Sequence, residues 1–473
     1  MLIFLLRSFL LEDFKLLSPL LEREDRKDLT RKLTLENLNL INSFEHINIS
    51  FDNDKNFEFF PEEKIELSRD KLMEFSHGKD FKSYTCFFSD IGDLSEEAIR
   101  NSQDLASCFD IVITKTENNF IGILSSKDLR LINEVLSLEK KYDTDKIISM
   151  LKEKNLRVKV LEKGFGVRDF KSLVELEYRK KLNDLGFGEY NINFLRDNIV
   201  YRVNISSQMG LGKNQIKYEY DALKELEDSG ATPKVFSFKK EGKFLKYGSL
   251  TMEYVEGRPL DYDRDMKVAA RLLSSIHNVK IENSKLIYAE KPFLDMYKEF
   301  INMFDYYRKW ENKDKNTEQT ILEMLDIAKK SGLDEKIENP CIINTELNNR
   351  NFIIGDRPTV IDWEKPIIGE CEQDLAHFTV PTTTNWKTDK ILSEKEIEDF
   401  LYEYEKFRHV DRKKYRKYLM FNSLRGITWC AMANVEYSKV RSLSNNDTYD
   451  KIKLFLSNDY LKMLKEKFYK IMG

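Results

Sequence analysis

Beyond Leu260 the chain reads as one helix after another, with a single interruption between residues 341 and 365. That stretch runs as a polar loop, Asn344-Thr-Glu-Leu-Asn-Asn-Arg-Asn351, then an apolar strand over Phe352–Ile354. A turn at Gly355-Asp-Arg-Pro358 follows, and then Val360–Ile361, ending at Asp362-Trp363-Glu364. A tight hairpin brings Asn351, just before one strand, close to Asp362, just after its partner. An amide oxygen and a carboxylate meeting in this way suit Mg²⁺, which takes oxygen ligands and keeps waters or phosphates for its remaining positions. Glu346 would hang a second carboxylate beside them. A base, two metal ligands and a separate lobe with a basic strand residue are the parts of an ATP phosphotransferase.

The rest of the chain limits the alternatives. Its 473 residues suggest two or three domains, and 18 Gly and 9 Pro argue against a collagenous or largely disordered protein. Lys and Arg number 77 against 81 Asp and Glu, so no basic footprint for nucleic acid is visible. The five cysteines are scattered without a C-x-x-C pair, which excludes a disulfide framework and fits a reducing cytosol. The apolar N-terminus, Met1 to Leu11, is interrupted by Arg7 and lacks a cleavage site. It is expected to pack into a core, and a cytoplasmic protein without membrane contact is expected.

Local patterns divide the chain into an α/β domain over residues 1–160, a small lobe over 161–258 and a helical lobe over 259–473. In the first, Ile47–Phe51 and Phe109–Thr114 read as strands and Ser125–Leu138 as a capped helix. Asp169 to Leu185 reads as an amphipathic helix. Tyr190–Leu195 and Ile199–Ile205, split by Asp197-Asn198, read as a hairpin. Gln215–Glu227 reads as a helix, and Pro233–Phe238 and Tyr247–Val255 as strands. Taken alone, Arg202 would be a solvent-facing strand residue, Glu219 half of a surface ion pair, and His277 a buried, hydrogen-bonded helix end.

Several of these segments, in this order, resemble the aminoglycoside phosphotransferase and choline kinase group. Asn344-Thr345-Glu346, four residues, and Asn351 stand where that family has His-x-Asp, four residues, Asn. Ile361-Asp362-Trp363-Glu364 and Gln373-Asp374-Leu375-Ala376 are similar to its following segments. Gly188-Glu-Tyr-Asn191 looks like its nucleotide-covering turn, and Arg202 like its phosphate-holding strand residue. Glu219 looks like the helix acid that pairs with that residue, and Met252-Glu253-Tyr254-Val255 like the adenine hinge. The resemblance spans roughly residues 180–470. It implies an α+β fold of the protein-kinase-like kind, bilobal, with a β-rich N-lobe and a larger helical C-lobe, preceded here by the extra α/β domain. It implies ATP (or GTP) with Mg²⁺ as cofactors and phosphoryl transfer to a hydroxyl of an amino alcohol, sugar or aminoglycoside-like acceptor.

In that scheme Glu346 is the base, and Asn351 and Asp362 hold the metal. Gly188, Asn191, Arg202, Glu219, Glu253 and Val255 serve the nucleotide, while Trp363, Asp374, Trp386 and Trp429 are candidates for the acceptor site. The base position departs from the family's Asp, and a longer side chain moves the carboxylate by about an ångström, a displacement able to cost roughly a hundredfold in rate. A nucleotide-binding pseudokinase and a kinase acting on a macromolecule are the alternatives.

Overall fold

A computed structural model describes residues 2–6, 20–21, 23–50, 67–68, 81–139, 141–167, 169–188, 190–207, 209–438 and 446–472. The chain forms two compact units. The first comprises residues 1–197 with 201–205 and 239–249; the second comprises 198–200, 206–238 and 250–473. The expected boundary at residue 160 thus falls inside the first unit.

The first unit is built on a seven-stranded sheet. Its strand order is Leu67–Ser68, His46–Ser50, Leu2–Leu6, Tyr84–Phe88, Ile121–Ser126, Ile111–Lys115, Val158–Glu162. Leu2–Leu6 is parallel to both of its neighbours and all five of its residues are buried, which explains its unbroken apolar run. Ile121–Ser126 is antiparallel to both of its own neighbours. Helices Arg23–Ile41, Glu96–Leu105, Leu129–Leu138 and Thr144–Glu153 belong to the same unit. The N-terminal apolar run is therefore a core strand over Leu2–Leu6, as expected; residues 7–11 lie outside the described residues.

Two expected elements differ. The helix expected from Ser125 starts at Leu129 and is capped by Asp128, because Ser125 and Ser126 complete a strand and Ser125 Oγ bonds Thr85 and Ser102 at 2.8 Å each. The helix expected over 169–185 spans only Phe170–Tyr178. Arg179 ends it at φ 53°, and Asn183–Phe187 pairs antiparallel with Asn191–Arg196 instead.

In the second unit, helices Met266–His277, Pro292–Arg308, Lys315–Lys330, Glu394–Glu405 and Arg412–Tyr437 contribute to one apolar core. The interruption at 341–365 is framed by Pro340–Ile343, paired antiparallel with Ile367–Glu370. Inside this frame lies the hairpin Phe352–Ile354 with Thr359–Val360, and Arg258–Pro259 adds a third strand. No helix among the described residues is long and apolar enough to cross a membrane.

Candidate active site

The polar loop begins where strand Pro340–Ile343 runs out, and a buried carboxylate sets its first turn. Asp374, on helix Cys371–Thr379, accepts the backbone N–H groups of Asn344 at 2.7 Å and Thr345 at 2.8 Å. His277 Nε2 lies 3.4 Å from the same carboxylate, and its Nδ1 is 2.8 Å from the Tyr404 hydroxyl. Asp374 and His277 are fully buried, so this network holds the loop from inside the core.

The loop is then tied to the segment after the hairpin. Asn344 Nδ2 donates to the Asp362 carbonyl at 2.8 Å, and Thr345 Oγ1 to the Lys365 carbonyl at 3.0 Å. The Ile361 N–H donates to the Asn351 carbonyl at 2.7 Å, which brings Asn351 beside Asp362. Thr345 and Asp362 both have left-handed backbones, at φ 73° and 66°. Such conformers cost about 1–3 kcal/mol for non-glycine residues and persist where surrounding contacts enforce them, as these bonds do.

Among the described residues no group of three or more His, Cys, Asp or Glu is arranged to hold a metal. The residues expected to hold a hard ion are Asn351 and Asp362, one amide and one carboxylate. The Asn351 amide oxygen accepts the Asn348 N–H at 2.7 Å. An amide oxygen has two lone pairs, so this bond is compatible with one further ligand, and the all-oxygen donor set fits Mg²⁺.

Of the six residues expected to serve the nucleotide, Asn191, Arg202 and Glu219 are buried, Glu253 and Val255 are half-buried and Gly188 is exposed. Glu219 is only 1% exposed, and Gln215, one turn before it, donates to its Oε1 at 3.3 Å and to the Glu364 carbonyl at 2.7 Å. Arg202 is 6% exposed, with Nη1 3.5 Å from Asn193 Oδ1. Neither is a surface charge, contrary to what their immediate sequence suggests. Gly188 donates its N–H to the Asn191 carbonyl at 2.8 Å, closing the turn, and the Asn191 amide oxygen accepts from Asn204 at 3.1 Å. Glu253 ends strand Ser249–Glu253, two residues before Val255, and its carboxylate binds Arg357 at 2.5 Å and the Lys234 N–H at 3.2 Å.

The expected acceptor residues separate into two pairs. Trp363 is buried, donating from Nε1 to the Val360 carbonyl at 3.0 Å, and Asp374 is spent on the loop anchor. Trp386 and Trp429 instead line a cavity of ≈ 290 Å³ within the second unit, meeting edge to face with ring centroids 5.3 Å apart. Glu346 lines the same cavity, with Glu299, His377 and Arg425. Gly426 lets helix Arg412–Tyr437 approach closely, since a Cβ there would lie 2.6 Å from Thr382 Cβ.

Arg425 and Glu299 escaped sequence reasoning because they stand on helices far from the loop. The available signal was a guanidinium in the otherwise uncharged run Leu424 to Ala433. His377 bonds the Leu347 carbonyl through Nδ1 at 3.0 Å. Burial, with the Arg425 charge adding, pushes its pKa down to about 4. The ring is thus neutral near pH 7, and because a carbonyl only accepts, the proton sits on Nδ1 and Nε2 is left as an acceptor.

Residues 208–418 match the model of a family described as a phosphotransferase enzyme family, which bears out the resemblance read from the motifs and the mixed α+β fold class. No curated protein matches the chain. Among solved structures, a choline/ethanolamine kinase family protein from Mesorhizobium loti is 13% identical, with 63% of this chain and 94% of that one covered and a TM-score of 0.43. A choline kinase from Cryptosporidium parvum is 14% identical, with coverage of 62% and 89% and a TM-score of 0.45. A spectinomycin phosphotransferase, solved with ADP and spectinomycin, is 13% identical, with coverage of 61% and 92% and a TM-score of 0.42.

Proposed function

We propose, for a chain whose residues 208–418 fall in the phosphotransferase enzyme family, that it transfers the γ-phosphoryl group of ATP to a hydroxyl of a compact small molecule. The observation that carries this reading is the position of Glu346. It stands on the wall of an aromatic-lined cavity, on the same loop that brings Asn351 beside Asp362. In the reaction the acceptor oxygen bonds to the γ-phosphorus while the bond to the β–γ bridging oxygen breaks. ADP leaves with that electron pair, and Glu346 takes the hydroxyl proton. General-base assistance of this kind contributes about 10²–10⁴ in rate.

Asn351 and Asp362 would hold Mg²⁺, which neutralises phosphate charge when bound. The motif resemblance assigns Gly188, Asn191, Arg202, Glu219, Glu253 and Val255 to the nucleotide, and the burial of Arg202 and Glu219 supports a role other than solvation. Residues 161–258 would then supply the nucleotide lobe and 259–473 the acceptor lobe. A volume of ≈ 290 Å³ is at the low end for ligand pockets, about 300–1,000 Å³, and favours an amino alcohol or simple sugar over an aminoglycoside. Tryptophan faces suit a cationic amine.

The test is ADP release from Mg·ATP across amino alcohols, sugars, nucleosides and aminoglycosides. Acceptor-dependent release that disappears in Glu346→Gln and Asp362→Ala is expected; no release with any acceptor would overturn the reading. One observation favours a second reading, nucleotide binding without turnover: Arg425 occupies one oxygen of Glu346, at 3.0 Å. There, nucleotide would raise the melting temperature while no acceptor elicited ADP.

A further inference from the structure

Arg425 is explained neither by the loop motif nor by the chemistry above. Its side chain is only 15% exposed, and its guanidinium makes three contacts. Nη1 donates to the Thr345 carbonyl at 2.7 Å, Nη2 to Glu346 Oε1 at 3.0 Å, and Nε lies 3.6 Å from Glu299 Oε1. One fork therefore holds a backbone carbonyl and the side chain of the very next residue. The backbone it grips belongs to Thr345, whose left-handed φ of 73° turns the loop toward the cavity residue Glu346.

This geometry answers the problem raised by a glutamate at the base position. The side chain has one more rotatable bond than aspartate, so its carboxylate sweeps a larger volume unless something fixes it. A planar guanidinium can fix two acceptors at once, whereas an ammonium is a point charge on a flexible stem. Glu299 also pairs with the guanidinium, and His377 adds no charge because its ring is neutral near pH 7.

We infer that Arg425 is a positioning residue: it clamps Glu346 and the Thr345 carbonyl so that the longer carboxylate stands where an acceptor hydroxyl is deprotonated. The inference rests on the proposed phosphotransferase reading with Glu346 as base.

Steady-state kinetics of the full chain, with whichever acceptor the ADP assay identifies, test it. Arg425→Gln is expected to lower kcat on the order of 100-fold, with KM for Mg·ATP unchanged. Arg425→Lys should fall between, keeping the charge and losing the fork. Glu346→Asp should also slow the enzyme, although it restores the family's own residue, because the shorter carboxylate withdraws from Arg425 by about an ångström. The decisive comparison is the double variant. Arg425→Gln in a Glu346→Gln background should cost nothing further, since no base remains to be positioned.

Wild-type kcat in Arg425→Gln would overturn the inference, as would effects that multiply in the double variant or a change confined to acceptor KM. Should Arg425→Gln fail to fold, Arg425→Lys and Glu346→Asp carry the same comparison. A wild-type chain without acceptor-dependent turnover sinks the functional reading and this inference together; a turning-over enzyme indifferent to Arg425 sinks the inference alone.

Discussion

Asp374 accepts two consecutive backbone N–H groups from inside the core, so Asp374→Ala would orphan both donors where water cannot reach them. At about 1–3 kcal/mol for each buried unsatisfied group, a loss of about 3 kcal/mol in unfolding free energy is expected, read by urea denaturation. His377 supplies a pH dependence. Above about pH 6.5 its ring is neutral whether folded or not, and it contributes nothing to the slope. Below that, the unfolded chain takes up a proton that the folded chain refuses until about pH 4. Stability therefore falls as pH drops through this window, by up to about 3 kcal/mol. His377→Gln should lose less stability than wild type between pH 7 and pH 4.5 in matched denaturation curves. Arg202 and Glu219 show how far single residues can be read: their neighbours in sequence suggest surface charges, yet both are buried, because burial is decided by packing that a local pattern does not contain.

At the scale of elements, the contact between helices Arg412–Tyr437 and Pro381–Lys387 turns on Gly426. Alanine there gains about 0.8–1.0 kcal/mol of helix propensity. It also forces a Cβ to within 2.6 Å of Thr382, and overpacking costs about 1–3 kcal/mol. The second effect is expected to win. Gly426→Ala should melt lower than wild type and raise the acceptor KM, because Thr382 and Trp386 line the cavity; a higher melting temperature would show that the short helix yields. The hairpin at 352–360 was readable from apolar runs around a Gly-Asp-Arg-Pro turn. The helix expected over 169–185 ends at Tyr178 although its charge pattern continues, because strand pairing of Asn183–Phe187 with Asn191–Arg196 overrides local propensity.

For the whole molecule, the division into units is set by contacts that no linker composition announces. Glu177 accepts the N–H groups of Phe244 at 2.8 Å and Leu245 at 3.3 Å, and the ammonium of Lys239 at 3.0 Å. Tyr178 and Ser249 share a hydroxyl bond of 2.6 Å. A fragment of residues 182–473 therefore strips segment 239–249 of these partners. It is expected to be cut there by trypsin, at Lys240, Lys243 or Lys246, under conditions that leave the full chain intact. Glu177→Ala in the full chain should open the same sites; resistance in both would remove the dependence. The site shows a parallel limit. The spacing that singles out Glu346, Asn351 and Asp362 covers one short stretch, whereas Arg425 lies 79 residues from Glu346 and only folding brings them together.

The return of residues 239–249 to the first unit also bears on the order in which a ribosome delivers this chain. Glu177 emerges with nothing to bond, and its burial must wait while more than sixty further residues are made. Domains usually fold as they are synthesised, at about 5–20 residues per second. Here the seven-stranded sheet can close early, but its last helix, Phe170–Tyr178, stays without these bonds for several seconds.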